Sequence, residues 1–192
     1  MSTDTDLSES DAELVLRFQR GDRSAFTTLV RRWEAPMVRL AYRITGDLAE
    51  AEDLRQRVLL KLLETPGLVA EPGRFPAWIR RAVVNAAIGA IRRRQRREGL
   101  HRRLQARAKS VDDEDPGTGL LADDQARRLA AAMLQLEPEA RALLALRFDE
   151  DLTFAEIAAA LDRPVSTVKS QVARAIARLR TMLADPCDGA RS

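Results

Sequence analysis

The chain has a single cysteine, Cys187, and a single histidine, His101, so neither an intramolecular disulfide nor a zinc site of the usual kind can be assembled from it. That suits a reducing compartment. Aromatic residues are only 4% of the 192 positions, so a core must be built from Leu, Val, Ile and Ala. With no alternating apolar and polar runs, this composition predicts an all-α protein. No stretch reaches membrane-spanning length, and residues 1 to 11 are acidic and polar without an apolar centre, which predicts neither export nor membrane insertion. A Gly-rich phosphate loop, a nucleophile elbow and a convergent set of carboxylates are also missing. No catalytic residue, metal or cofactor is therefore expected, and an enzyme is not.

What is present is charge, and it is segregated. The formal net charge is +3, yet residues 91 to 109 hold nine Arg or Lys against one Glu, and residues 111 to 124 hold six acids and no base. Blocks of this size are usually solvated, and gain interest only beside a helical face. Arg supplies almost all the positive charge, which suits bidentate phosphate and base contacts, although an Arg-rich genome would give the same bias. The acidic run DDEDPGTG at 112 to 119 cannot form a packed core and reads as a flexible linker. The organisation predicted is a disordered acidic N-terminus (1–10), a helical domain (11–98), a flexible charged linker (99–124), a second helical domain (125–185) and a tail (186–192). The fold class is all-α: two small helical domains joined by an acidic linker.

The second domain carries the most informative unit. Thr153 and Glu156 form a T-x-x-E capping box ahead of a short helix with Phe154, Ile157, Ala158 and Leu161 at helical spacing. Asp162, Arg163 and Pro164 break it. A further helix follows with Val168, Val172, Ala175, Ile176, Leu179 and Leu183 on one face, and Ser166, Ser170, Ala173, Arg174 and Ala177 on the other. A small, polar, basic outward face after so tight a turn fits the second helix of a DNA-reading helix-turn-helix. On it Arg174 is placed to reach base edges, with Lys169 and Arg178 toward the flanks where phosphates would run. A plain helical hairpin with a solvated Arg face is the alternative.

In the first domain, residues 11 to 20 and 24 to 32 read as helices with Leu14, Phe18, Phe26, Leu29, Val30 and Trp33 as core. Asp47 and Glu50 form a second capping arrangement, behind which Ala51, Leu54, Val58 and Leu62 make a buried stripe. The other side, with Asp53, Gln56, Arg57, Leu60, Leu63 and Glu64, is a candidate protein-docking face unless its leucines pack under a neighbouring helix. Residues 65 to 73 form a Pro- and Gly-rich loop, and Phe75-Pro76 starts the last helix. Its core stripe is Ile79, Val83, Ala86, Ala87, Ala90 and Ile91. A second stripe runs Trp78, Arg81, Asn85, Gly89, Arg92 and Arg96, placing an aromatic, an amide and three guanidiniums in line. Such a surface can hold a phosphate backbone and stack or hydrogen-bond an unpaired base.

A single-strand-type surface, an acidic connector and a duplex-reading helix-turn-helix, in that order, resemble the extracytoplasmic-function (ECF) sigma factors of bacterial RNA polymerase. The resemblance spans residues 11 to 183 and rests on DLRQRVLLKLLE at 53 to 64, FPAWIRRAVVNAAIGAIRRRQRR at 75 to 97 and LTFAEIAAALDRPVSTVKSQVARAIARLR at 152 to 180. It implies a promoter-specificity subunit that binds core RNA polymerase, recognises −10 and −35 elements and assists melting, without a cofactor and in the cytoplasm, on the nucleoid when in holoenzyme. By the same resemblance Asp53, Leu54 and Gln56, with Leu60 beside them, dock on the polymerase. Asn85 and Arg92, Arg93 and Arg94 meet the −10 element with Trp78, Arg81 and Arg96 of the stripe, and the loop from 67 to 73 captures a flipped base. Ser166, Thr167, Lys169, Ser170 and Arg174, with Gln171 and Arg178, meet the −35 element. An anti-sigma protein is left open as a further partner. Arg57 stands where the family usually has an acid, Gly89 where it often has Asp, Gln171 where Arg is usual and Ala173 where His is common. Two other classes remain: a stand-alone helix-turn-helix regulator, and a degenerate sigma-like protein that sequesters a partner.

Overall fold

The computed structural model describes residues 9–105 and 124–184, and the side chains of all of these except 99–105 and 124. Cys187, the His101 side chain, most of the expected N-terminal segment, the middle of the expected linker and all of the expected tail lie outside the described residues. All the regular structure among those residues is helical.

Helix α1 (Asp11–Gln19) opens on a full capping box, with the Ser10 hydroxyl accepting from the Glu13 N–H at 3.3 Å and the Glu13 carboxylate accepting from the Ser10 N–H at 2.8 Å. Helix α2 (Arg23–Thr45) starts at Asp22, whose carboxyl is held down to about 2 by the Ser24 hydroxyl, the Arg17 guanidinium and the Ser24 N–H. The sequence predicts that this helix ends near Arg32. It instead runs through Pro36. A proline inside a helix costs about 3 kcal/mol, whereas Met37, Leu40 and Ile44 beyond it are buried, at about 1.5–3 kcal/mol each. Tertiary burial therefore outweighs the local break. Gly46 ends α2 in the left-handed region at φ 73°, and a Cβ there would lie 2.5 Å from a Leu134 methyl.

Helix α3 (Leu48–Glu64) begins at Asp47, which accepts from the Glu50 N–H at 3.1 Å. The expected reciprocal bond is missing: the Glu50 carboxylate turns to Arg57 at 2.9 Å instead. Two short 3₁₀ turns, Pro66–Leu68 and Pro72–Arg74, lead into the 31-residue helix α4 (Phe75–Gln105), which continues past the predicted boundary at 98. The turns are tied to α1, since Val69 is buried and the Gln19 amide donates to the Pro66 and Val69 carbonyls at 3.2 and 2.8 Å.

The second block holds α5 (Asp124–Leu134), α6 (Pro138–Leu144) prolonged by a π turn (Ala145–Asp149), α7 (Phe154–Leu161) and α8 (Val165–Ala184). Thr153 and Glu156 make the predicted reciprocal cap, at 2.8 Å to the carboxylate and 3.2 Å to the hydroxyl. Asp162 closes α7 in the left-handed region at φ 54°, a conformation aspartate tolerates better than most residues. On α8, Val168, Val172 and Ala175 are buried, while Ile176, Leu179 and Leu183 are half-buried. The two blocks share one contiguous apolar core, α4 packing on α6 and α7, and α2 on α6.

The cap on α7 yields a first prediction. Hydrogen bonds from the Thr153 side chain and backbone, then the Arg80 charge, hold the Glu156 carboxyl below its ordinary value. A lowered folded-state pKa adds stability above the unfolded value of 4.5 that is lost as pH falls through the folded one. Thr153→Ala should cost about 1 kcal/mol in urea melts near neutrality, and the difference from the parent chain should shrink as the medium is taken well below pH 4.

Candidate nucleic-acid interface

Helix periodicity and the loop together build a groove between α3 and α4. It holds about 550 Å³ and is lined by Arg57 and Lys61 of α3, Leu68 of the loop, and Trp78, Arg81 and Asn85 of α4, with Val58, Ala82 and Ala86 as apolar floor. Trp78, Arg81 and Asn85 thus converge as their spacing predicts. Phe75 stacks against Trp78 with ring centroids 6.1 Å apart and sets its plane. Three cations around one indole and one amide form a place where an unpaired nucleotide can stack, hydrogen-bond and neutralise its phosphate. Arg57 and Lys61 were grouped elsewhere or overlooked by sequence, although their i, i+4 spacing places them in one line along α3.

The remaining basic residues of α4 divide. Arg92 and Arg96 follow the stripe, but Arg93 and Arg94 are each turned about 100° further round the helix from the residue before, so the three consecutive arginines cannot meet one strand together. Arg92 pairs with Glu139 of α6, and Arg94 lies 3.8 Å from Glu98.

On α8, Ser166, Lys169, Ser170, Arg174 and Arg178 are exposed, and Thr167 is half-buried. Two of them are pre-positioned. The Arg174 Nε donates to the Ser170 carbonyl at 3.3 Å, and the Lys169 ammonium stands 6.0 Å above the Phe154 ring of α7. Gln171 is half-buried and accepts from Arg163 of the turn at 3.3 Å, so its amide braces the turn rather than standing free.

On the expected docking face of α3 all the residues but one are at the surface. Asp53 and Gln56 are exposed, Leu60 is 54% exposed, and Leu63 is exposed too, so these leucines do not pack under a neighbour. Leu54, by contrast, is 1% exposed. It is a core residue that supports the face from beneath, because position 54 falls on the same line as Ala51, Val58 and Leu62.

Ion pairs join the blocks. Arg80 meets Glu150 at 3.2 Å with both side chains largely buried, Arg43 meets Asp149 at 3.4 Å, Arg81 meets Asp162 at 3.7 Å, and Arg92 meets Glu139. The last three are largely exposed, with Glu139 half-buried, and such a pair contributes at most about 1 kcal/mol. Arg80 is anchored three ways, also lying 5.1 Å above the Trp33 ring and donating to the Pro76 carbonyl at 3.2 Å.

A chain whose described residues are all-helical, with a cationic, aromatic-lined groove and a helix-turn-helix, has the make-up of a DNA-binding protein. Comparison with known proteins defines the family: residues 29–97 match Sigma-70 region 2 and residues 126–179 match Sigma-70, region 4. The chain is 30% identical to the RNA polymerase sigma-H factor of Pseudomonas aeruginosa, over 87% of this chain and 90% of that protein. It is 33% identical to the ECF RNA polymerase sigma factor SigE of Mycolicibacterium smegmatis, over 85% of this chain and 65% of that protein. Its fold is similar to CnrH, solved in complex with the cytosolic domain of CnrY, with a TM-score of 0.63 at 21% identity over 93% of this chain and 100% of that one. The chain belongs to the ECF sigma factors of the sigma-70 family. Such factors are non-enzymatic subunits that bind RNA polymerase and direct transcription from promoters.

The exposed face of α3 leads to a second prediction. Gln56→Ala combined with Leu60→Asp should abolish co-purification with core polymerase while leaving helical content and melting temperature nearly unchanged, since exposed substitutions usually shift stability by no more than about 0.5 kcal/mol. A large loss of stability would return these residues to the core.

Proposed function

We propose that this chain directs polymerase to a two-part promoter, reading a duplex −35 element with α8 and holding the opened −10 strand in the groove between α3 and α4. The observation that carries the reading is the convergence of Trp78, Arg81 and Asn85 with Arg57 and Lys61 in one groove. A strand held there by stacking and phosphate contacts is removed from the duplex, so melting is assisted by binding energy alone. Asp53, Gln56 and Leu60 face the polymerase, with Leu54 beneath them. The work belongs in the cytoplasm and on the nucleoid, and no described helix is long and apolar enough to cross a membrane.

Arg57 takes a role in this reading. The resemblance sets it where the family usually has an acid; it lies one turn from Asp53, whose carbonyl accepts from its Nε at 3.3 Å, and it also lines the strand groove, where its charge serves the nucleic acid.

The groove is tested with two templates. Asn85→Ala and Arg57→Glu should lower transcription from a duplex promoter much more than from a template already mismatched across −10, while Arg57→Glu leaves assembly with core polymerase unchanged. Equal losses on both templates would reduce these residues to general phosphate contacts.

The recognition helix is tested by separating base readers from phosphate anchors. Arg174→Ala should cost on the order of 1 to 3 kcal/mol and relax preference at one or two −35 positions. Lys169→Ala should weaken binding to all sequences alike and reduce its salt dependence. A randomised −35 library transcribed by holoenzyme carrying each variant measures both, and unchanged base preferences for Arg174→Ala would mean that α8 docks differently.

A further inference from the structure

Between Phe75 and Arg97, helix α4 holds a single glycine, Gly89. Glycine weakens a helix interior, because it adds backbone entropy to the unfolded chain and packs nothing. Its φ is not positive, so no turn or left-handed conformation calls for it. What lies over it does. The Arg93 guanidinium, four residues on, folds back along the helix until one terminal nitrogen is 3.4 Å from the point a Cβ on Gly89 would occupy. Helical side chains lean toward the N-terminus, so the residue at i+4 is the one able to reach this place. Arg93 is also unengaged. Arg92 is paired with Glu139 and Arg94 lies 3.8 Å from Glu98, whereas Arg93 is exposed and has neither an ion pair nor a hydrogen bond among the described residues.

The groove gives this guanidinium its direction. Its floor residues Ala82 and Ala86 continue at helical spacing to Gly89 and then to Arg93. The folded-back guanidinium therefore lies over the next step of the floor, about 6 Å along the axis from Asn85. From this juxtaposition, and resting on the groove as the strand site, we infer that Gly89 is a positioning residue: its bare backbone is the shelf on which Arg93 is laid along the groove, as the phosphate contact for the strand beyond Asn85. A methyl group at 89 would leave the guanidinium at contact distance. A longer side chain would take its place and turn it out to water. The cations around the groove, Arg57, Lys61 and Arg81, are thus extended in line with the floor. Arg57 and Arg81 must each give up a carboxylate to meet a phosphate, and Arg93 has none to give up.

The test uses the full chain and a fluorescent single-stranded DNA of mixed sequence, read by anisotropy over a range of salt. Arg93→Ala should weaken binding roughly fivefold to tenfold and lower the slope of log affinity against log salt by about 0.7, as for one lost single-strand phosphate contact. Gly89→Leu should reproduce both changes with Arg93 still in the chain, and Gly89→Ala should lose less than Gly89→Leu. Alanine and leucine both favour a helix over glycine, so the melting temperature should not fall. Gly89→Gln, of similar reach and flexible, repeats the measurement if leucine disturbs the fold. In the Arg93→Ala chain, Gly89→Leu should cost nothing more. A further loss there would mean that leucine obstructs the groove rather than displacing Arg93, and would overturn the positioning role. So would an Arg93→Ala chain that loses no more affinity or slope than Arg31→Ala, which removes an exposed charge of α2 outside the groove lining. Failure of the groove itself is a separate result: Trp78→Ala and Lys61→Ala would then leave strand binding unchanged.

Discussion

The Arg80 guanidinium is the joint of the molecule. It is a cation in a mostly apolar setting, and a buried charge is tolerated only when paired and hydrogen-bonded. Trp33 of α2 offers its face, the Pro76 carbonyl accepts from it within α4, and Glu150 supplies the counter-charge from the second block. Removing any one of these leaves the others to hold a charge out of water. The same helix strip continues with Val84, Ile88 and Ile91, all buried, so α4 is apolar over a wider arc than the core stripe alone requires. The basic face is what remains.

That division explains why one helix carries three kinds of residue without conflict. Ile79, Val83, Ala87 and Ala90 face the first block's core, the Arg80 strip lies beside them, and Trp78, Arg81 and Asn85 occupy the next sector, over the groove with α3. A helix offers these faces in fixed rotation. Shifting one residue would move the groove-lining amide into the core and a core valine onto the groove. The precision of the site is therefore inherited from packing, with Phe75 bridging the two by contacting both Trp33, at 5.8 Å, and Trp78, at 6.1 Å.

What was legible in the sequence was local. The Thr153–Glu156 cap, the break at Asp162, the buried line of α3 and the stripe of α4 all depend on residues within about one or two turns of each other, where periodicity and cap chemistry decide. Three features were not legible, because in each a contact outside the local pattern decided the outcome. Pro36 reads as a break until the burial of Met37, Leu40 and Ile44 is counted. Glu50 reads as the return half of a capping box until Arg57 offers it a guanidinium. Arg80 and Glu150 are 70 positions apart, and nothing in either neighbourhood announces the other. Leu54 was misjudged differently: its motif placed it at the polymerase, while its own spacing with Ala51, Val58 and Leu62 already placed it inside.

In the function proposed above the two nucleic-acid faces are prepared by different means, and the difference follows from what each would meet. Duplex DNA presents its base edges in a rigid groove, so the reading helix gains from side chains already fixed. Arg174 is tied to its own turn, Lys169 rests against Phe154, and Gln171 is spent on bracing Arg163. An opened strand has no fixed shape and must be ordered as it binds, which favours a stacking surface ringed by long, adaptable cations. Arg57, Lys61 and Arg81 around Trp78 are of that kind. Arg57 is already paired with Glu50 and Arg81 with Asp162, so both guanidiniums are held by carboxylates. Exchanging a carboxylate for a phosphate then costs less ordering than recruiting a free side chain from water.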